Sequence, residues 1–143
     1  MAAKGSTFDN DLLKLIFNAT SIANIAIDAT SSPLTSLYVA LHTASPLAGG
    51  SQTTSEAAYS GYARVAVART SGGWTVTSNS VSPVADILFP AASSGTETLT
   101  HFSVGTASSG AGKILYFGAI SPSISVTAGV APLLTTATAI TES

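Results

Sequence analysis

The sequence predicts an all-β protein, an antiparallel jelly-roll-like β-sandwich of about eight strands with an N-terminal helical arm. Short runs alternating apolar and polar residues recur from residue 34 onward, at the period of two that half-buried strands require. Clusters such as "SGG", "SNS", "ASSG" and "SSGAG" punctuate those runs, with no helical pattern between them. Helical spacing is confined to the opening segment. The organisation expected is an arm over residues 1–32 and a sandwich over residues 33–143.

In "STFDNDLLKLIFNA", Ser6 or Thr7 is a plausible N-cap, and acidic residues in the first turn complement the helix dipole. Phe8, Leu12, Leu15, Ile16 and Ala19 fall at i, i+4, i+7, i+8 and i+11, one helical face, and Leu13 and Phe17 widen the stripe. "TSIANIAIDATSSP" either prolongs the helix or forms an extended arm, and Pro33 closes it. "LTSLYVALHT" then alternates Leu37, Val39 and Leu41 against Tyr38, Ala40 and His42. A polar loop leads to "YARVAVAR", where Ala63, Val65 and Val67 should be buried while Tyr62, Arg64, Ala66 and Ala68 face outward. Arg64 then reads as a surface or interface residue whose nearest candidate partner is Glu56. "WTVT", "VADILFP", "TLTHFSVG", "KILYFGAI", "SISVTAG" and "PLLTTATAI" are the remaining strands. One core should gather Leu37, Val39, Leu41, Val65, Val67, Phe102, Val104, Ile124 and Val126.

Composition narrows function mainly by exclusion. Charged residues are 8% of the 143, against roughly 25% in typical domains. The surface is therefore mostly Ser, Thr, Gly and Ala, which suits a chain packed against copies of itself or a lattice. A net charge of −2 without a basic stripe gives no footprint for nucleic acid. Cysteine is absent, which removes disulfides and thiolate chemistry. Asp9, Asn10 and Asp11 stand where a signal peptide would carry basic residues. Despite a mean hydropathy of +0.44, no apolar run is long enough to span a bilayer, so no membrane partner is expected.

Chemical motifs are weak throughout. "ASSGAGKI" approaches a phosphate-cradling loop, but Ile114 replaces the required Ser or Thr and a strand follows, so a Gly-rich hairpin turn is expected. Glu97, His101 and Ser103 share a strand face, yet strand rise separates Glu97 from His101 by about 13 Å, too far for a triad. His42 and His101, with Asp86, have no metal-ligand spacing of the usual local kind. Trp74 reads as a core or rim anchor. No catalytic, metal or cofactor residues are expected.

The order "LLKLIF", "LYVALHTASP", "GGSQTTSE", "SGYARVAV", "SNS", "ILFP", "THFSVGTASSGAGKILYFGAI" and "VTAGVAPLL" resembles a family of small tailed-bacteriophage virion proteins, often labelled tail fibre proteins. It is also similar to the jelly-roll cement proteins that decorate some tailed-phage capsids. The resemblance covers nearly the whole chain and implies a structural, non-enzymatic β-sandwich that self-associates. The role expected is capsid cement, made in the host cytoplasm and bound outside the shell as a homodimer bridging major capsid protein subunits. A tail-fibre or receptor-recognition module is the alternative. The interface candidates are Phe8, Leu12, Leu13, Leu15, Ile16 and Phe17 on the helix, with Tyr59, Tyr62 and Arg64.

Overall fold

The computed structural model of the chain describes residues 4–28 and 32–143; residues 1–3 and 29–31 of the expected arm lie outside this range. It is all-β with one N-terminal helix. The elements are α1 (Ser6–Asn18), β1 (Ser36–His42), β2 (Val65–Ala68), β3 (Trp74–Thr77), β4 (Ser80–Pro83), β5 (Ile87–Leu88), β6 (Glu97–Gly105), β7 (Ile114–Val126), β8 (Leu133–Leu134) and β9 (Ile140–Thr141). The strands form a four-stranded sheet in the order β2-β1-β6-β7, a three-stranded sheet β3-β4-β9 and the pair β5-β8. The chain divides into two compact units. One comprises Met1–Ser36, Val67–Asp86 and Thr135–Ser143, and the other Leu37–Ala66 and Ile87–Leu134.

In the first unit, α1 packs on β3 and β4. Its N-cap is Gly5, whose carbonyl accepts from Asp9 N–H at 3.1 Å; Ser6 and Thr7, the expected caps, lie inside the first turn. Ala19 ends the helix in the left-handed region at φ 53°. The buried line is Asp9, Leu13 and Phe17, one position on from the stripe anticipated through Phe8 and Leu12. Trp74 sets this rotation: its ring meets Phe17 edge-on, with centroids 4.9 Å apart. Leu12, Leu15 and Ile16 are half-buried and Phe8 remains 41% exposed. The segment after the helix neither prolongs it nor extends. It turns back at once, Ile22 bridging Ala26 with Asn24 at φ 61°.

Arg69 ties this unit together. Its Nε donates to the Ile16 carbonyl and Nη2 to the Leu15 carbonyl, each at 2.6 Å, supplying donors to helix-end carbonyls that have no partner within the helix. Nη2 also meets Asp28 Oδ1 at 2.6 Å, and Nη1 donates to the Leu34 carbonyl at 3.2 Å. At the other end of the helix, Lys4 pairs with Glu142 at 2.7 Å.

β4 went unforeseen, because "SNS" reads as punctuation. Those residues are the tight turn of the β3–β4 hairpin, in which Thr77 opposes Ser80 and Ser78 sits at φ 55°. "PLLTTATAI" splits where Thr138 N–H turns back to the Thr135 carbonyl, giving β8 beside β5 and β9 beside β4.

In the second unit, β1 and β6 pair antiparallel, setting Val39 against Val104 and Leu41 against Phe102. Leu37, Leu99 and Val126 are buried as well. Of the anticipated core, Val65, Val67 and Ile124 are only half-buried. The opposite face of β1 and β6, through Ala40, His42 and Ser103, is buried too, under part of the polar loop that follows β1. "KILYFGAI" and "SISVTAG" merge into the single strand β7.

Candidate functional site

The loop over β1 and β6 is built around Gln52, which is fully buried. Its Nε2 donates to the Tyr38 carbonyl at 3.2 Å, and its Oε1 accepts from Ala107 N–H at 3.0 Å. The amide lies flat against Gly105, where an added Cβ would come within 2.2 Å of the Gln52 Cδ. Only glycine leaves room for it.

Four residues further on, Glu56 begins a dense polar cluster. Arg64 binds it with two donors, Nε to Oε1 at 2.6 Å and Nη2 to Oε2 at 2.8 Å. Its remaining bonds run to the β6–β7 hairpin, Nη1 to the Ala107 carbonyl at 2.9 Å and Nη2 to the Gly110 carbonyl at 2.7 Å. Tyr62 donates to Glu56 Oε1 at 3.0 Å while its hydroxyl accepts from Leu41 N–H at 3.1 Å. Burial pushes the Tyr62 phenol well above its ordinary pKa, and the hydrogen bond to Glu56 raises that of Arg64. Gly61, at φ +97°, lets the chain pass the Ala91 carbonyl, which a Cβ would approach to 2.9 Å.

This cluster corrects the outward placement of Arg64. Its side chain is 2% exposed, whereas Ala63, expected inside, is exposed. The strand begins only at Val65, so the alternation does not extend back through residues 62–64. Glu56 is the partner, as its proximity in sequence suggests. "ASSGAGKI" is the Gly-rich hairpin expected, and what it offers inward is carbonyl oxygen to a guanidinium.

Beside this cluster, His42 is fully buried. Its Nδ1 lies 2.9 Å from the Thr54 carbonyl and must carry the proton, so Nε2 accepts from Ser103 Oγ at 2.8 Å. Burial, the largest influence, depresses the His42 pKa below its ordinary 6.5. A hydroxyl bonded to an imidazole resembles half a hydrolytic site, but both side chains are sealed from solvent. Sequence spacing linked Ser103 with His101 and missed His42, because the contact needs the β1–β6 register. His101 does stand opposite His42. Its Nδ1 bonds Thr100 Oγ1, while Asp86 accepts from Thr136 N–H and Glu97 from Ala58 N–H. Among the described residues no three His, Asp or Glu side chains converge as a metal site.

The interface candidates fall into two groups. Leu13, Phe17, Tyr59 and Arg64 are enclosed by their own units, and Tyr62 is half-buried against Tyr59 and Phe89. Phe8 is open, with Leu12, Leu15 and Ile16 intermediate. Other large apolar side chains also face solvent. In the first unit they include Ile25 at 75% and Ile27 at 77%, and in the second Leu47, Phe117 and the cross-strand pair Leu88 and Leu133. Arg64 and Arg69 are thus engaged with carboxylates and backbone carbonyls, while Asp86 and Lys113 are exposed.

A protein-family profile described as "Podophage GP4 fiber I protein gp80" matches residues 6–141, taking in α1 and all nine strands. No curated protein matches the chain.

Proposed function

From the premise that the chain belongs to the Podophage GP4 fiber I protein gp80 family, which makes it a structural protein of a bacteriophage virion, we propose that it serves as a fibre component. The observation that carries this reading is a match over almost the full length, both compact units included, to a family described as fibre. The engagement of its two arginines supports it. Arg64 and Arg69 are engaged with Glu56, Asp28 and backbone carbonyls, which leaves contacts with neighbouring virion proteins to apolar and hydroxyl-bearing surface. Its role is mechanical and needs no catalytic group. Copies of itself and adjacent tail proteins are its proposed partners.

The capsid-cement role, with the major capsid protein as partner, is the competing outcome of one experiment. Purified virions are run on a gel with calibrated band intensity and labelled with an antibody against the chain. A handful of copies localised to the tail is expected. Hundreds of copies spread over the capsid would overturn the fibre assignment in favour of cement.

A further inference from the structure

We propose that the outer edge of β7 is a docking surface for a second copy of this chain, the two β7 strands pairing antiparallel about Phe117. In the order β2-β1-β6-β7 this strand is terminal, and among the described residues no other strand pairs with it. It is 13 residues long, and "ILYFGAISPSISV" contains no charged side chain. Exposed strand edges of that kind are usually blunted by charge, proline or bulges, because their unpaired backbone groups template further pairing. Both halves of β7 carry irregularities: in the first, Leu115 is passed over between Gly105↔Ile114 and Val104↔Tyr116, and the second is interrupted further. There the register jumps from His101↔Ala119 to Leu99↔Ile124, looping out residues 120–123 with Pro122 among them.

The stretch between these irregularities has no such guard. Residues 116–119 follow β6 in unbroken register, and Phe117, in their midst, is 40% exposed. A second copy fits this edge because antiparallel pairing about a two-fold axis is self-complementary. The axis passes between one residue and its own counterpart. With Phe117 on the axis, the nearest charge, Lys113, falls opposite the partner's Ser121, so no like charges meet across the seam. The joined sheet has eight strands and stacks two exposed aromatic rings. The inference stands whether the assembled copies sit on a fibre or on a capsid.

Light scattering of the purified full chain is expected to give twice 14.2 kDa, falling to a single chain in Phe117→Lys with an unchanged circular dichroism spectrum. Because the chain has no cysteine, single-cysteine variants report the geometry without background. Under mild oxidation Phe117→Cys should crosslink, while Ser108→Cys on the exposed hairpin should not exceed chance encounter. A monomeric wild type, or a dimer that survives Phe117→Lys, overturns the proposal. So does open-ended polymer, which would mean head-to-tail pairing rather than a two-fold. If Phe117→Lys misfolds, the crosslinking of Phe117→Cys against Ser108→Cys decides alone.

Discussion

Arg64 holds Glu56 through two parallel charge-assisted hydrogen bonds of 2.6 and 2.8 Å, and its remaining donors hold the hairpin between β6 and β7. One guanidinium thereby joins three stretches of chain that are remote in sequence: the loop after β1, the entry to β2 and the tip of the β6–β7 hairpin. The geometry uses the planar fork of arginine, which a lysine ammonium cannot reproduce.

Arg64→Ala should therefore destabilise the protein by about 3–5 kcal/mol, the usual cost of leaving a buried charge without its partner. Arg64→Lys should recover only a minor part of that loss. Urea unfolding of the three proteins checks it, and a fully restored midpoint in the lysine variant would show that charge alone suffices.

His42 gives stability a pH dependence. Burial holds its folded pKa below 6.5, so between the two pKa values the unfolded chain binds more protons than the folded one. Its contribution is complete above pH 6.5 and is lost as pH falls through the folded pKa, with a slope of at most about 1.4 kcal/mol per pH unit. Urea midpoints measured from neutral pH down to mildly acidic pH should fall, and His42→Gln should flatten that decline. An identical slope in the variant would remove His42 as its source.

Gln52 and Gly105 should be energetically coupled. Gly105→Ala drives a methyl into the amide, displacing bonds to the Tyr38 carbonyl and Ala107 N–H, for a loss of roughly 2–3 kcal/mol. Once Gln52 has been shortened to Ala, the same substitution should cost much less. Additive losses in this double-mutant cycle would mean that the two positions act independently.

Phe17 is fully buried against Trp74, so Phe17→Ala should cost about 3–5 kcal/mol. Phe8→Ala, at a position 41% exposed, should cost much less. Thermal melts of the two variants test the assignment. Equal losses would mean that the helix turns its other face to the strands.

What could be read from the sequence was local in origin. The alternation in "SLYVALH" and "ETLTHFSVG" locates β1 and β6 because strand faces repeat every second residue, and the glycine-rich hairpin declares itself by composition. The rotation of α1 was not legible. It depends on Trp74, more than fifty residues away, and a wide apolar stripe admits more than one orientation. Arg64 misled because a strand pattern was carried into residues that are loop, and Gln52 gave no signal, since a polar residue in a polar loop looks solvated. The pairing of His42 with Ser103 exists only once β1 and β6 are in register. Fibre or capsid was beyond the residues altogether, since a contact surface has no motif.

The first unit draws on the beginning, middle and end of the chain, and Lys4 meets Glu142 within it. This dictates an order of assembly during translation. The helix is made before Trp74 and must wait for it, while β9 and Glu142 follow every strand of the second unit. The second unit, completed by Leu134, has all its strands beforehand. A nascent chain thus completes the second unit while the first still lacks β9, an interval in which incompletely folded chains are prone to stick to one another.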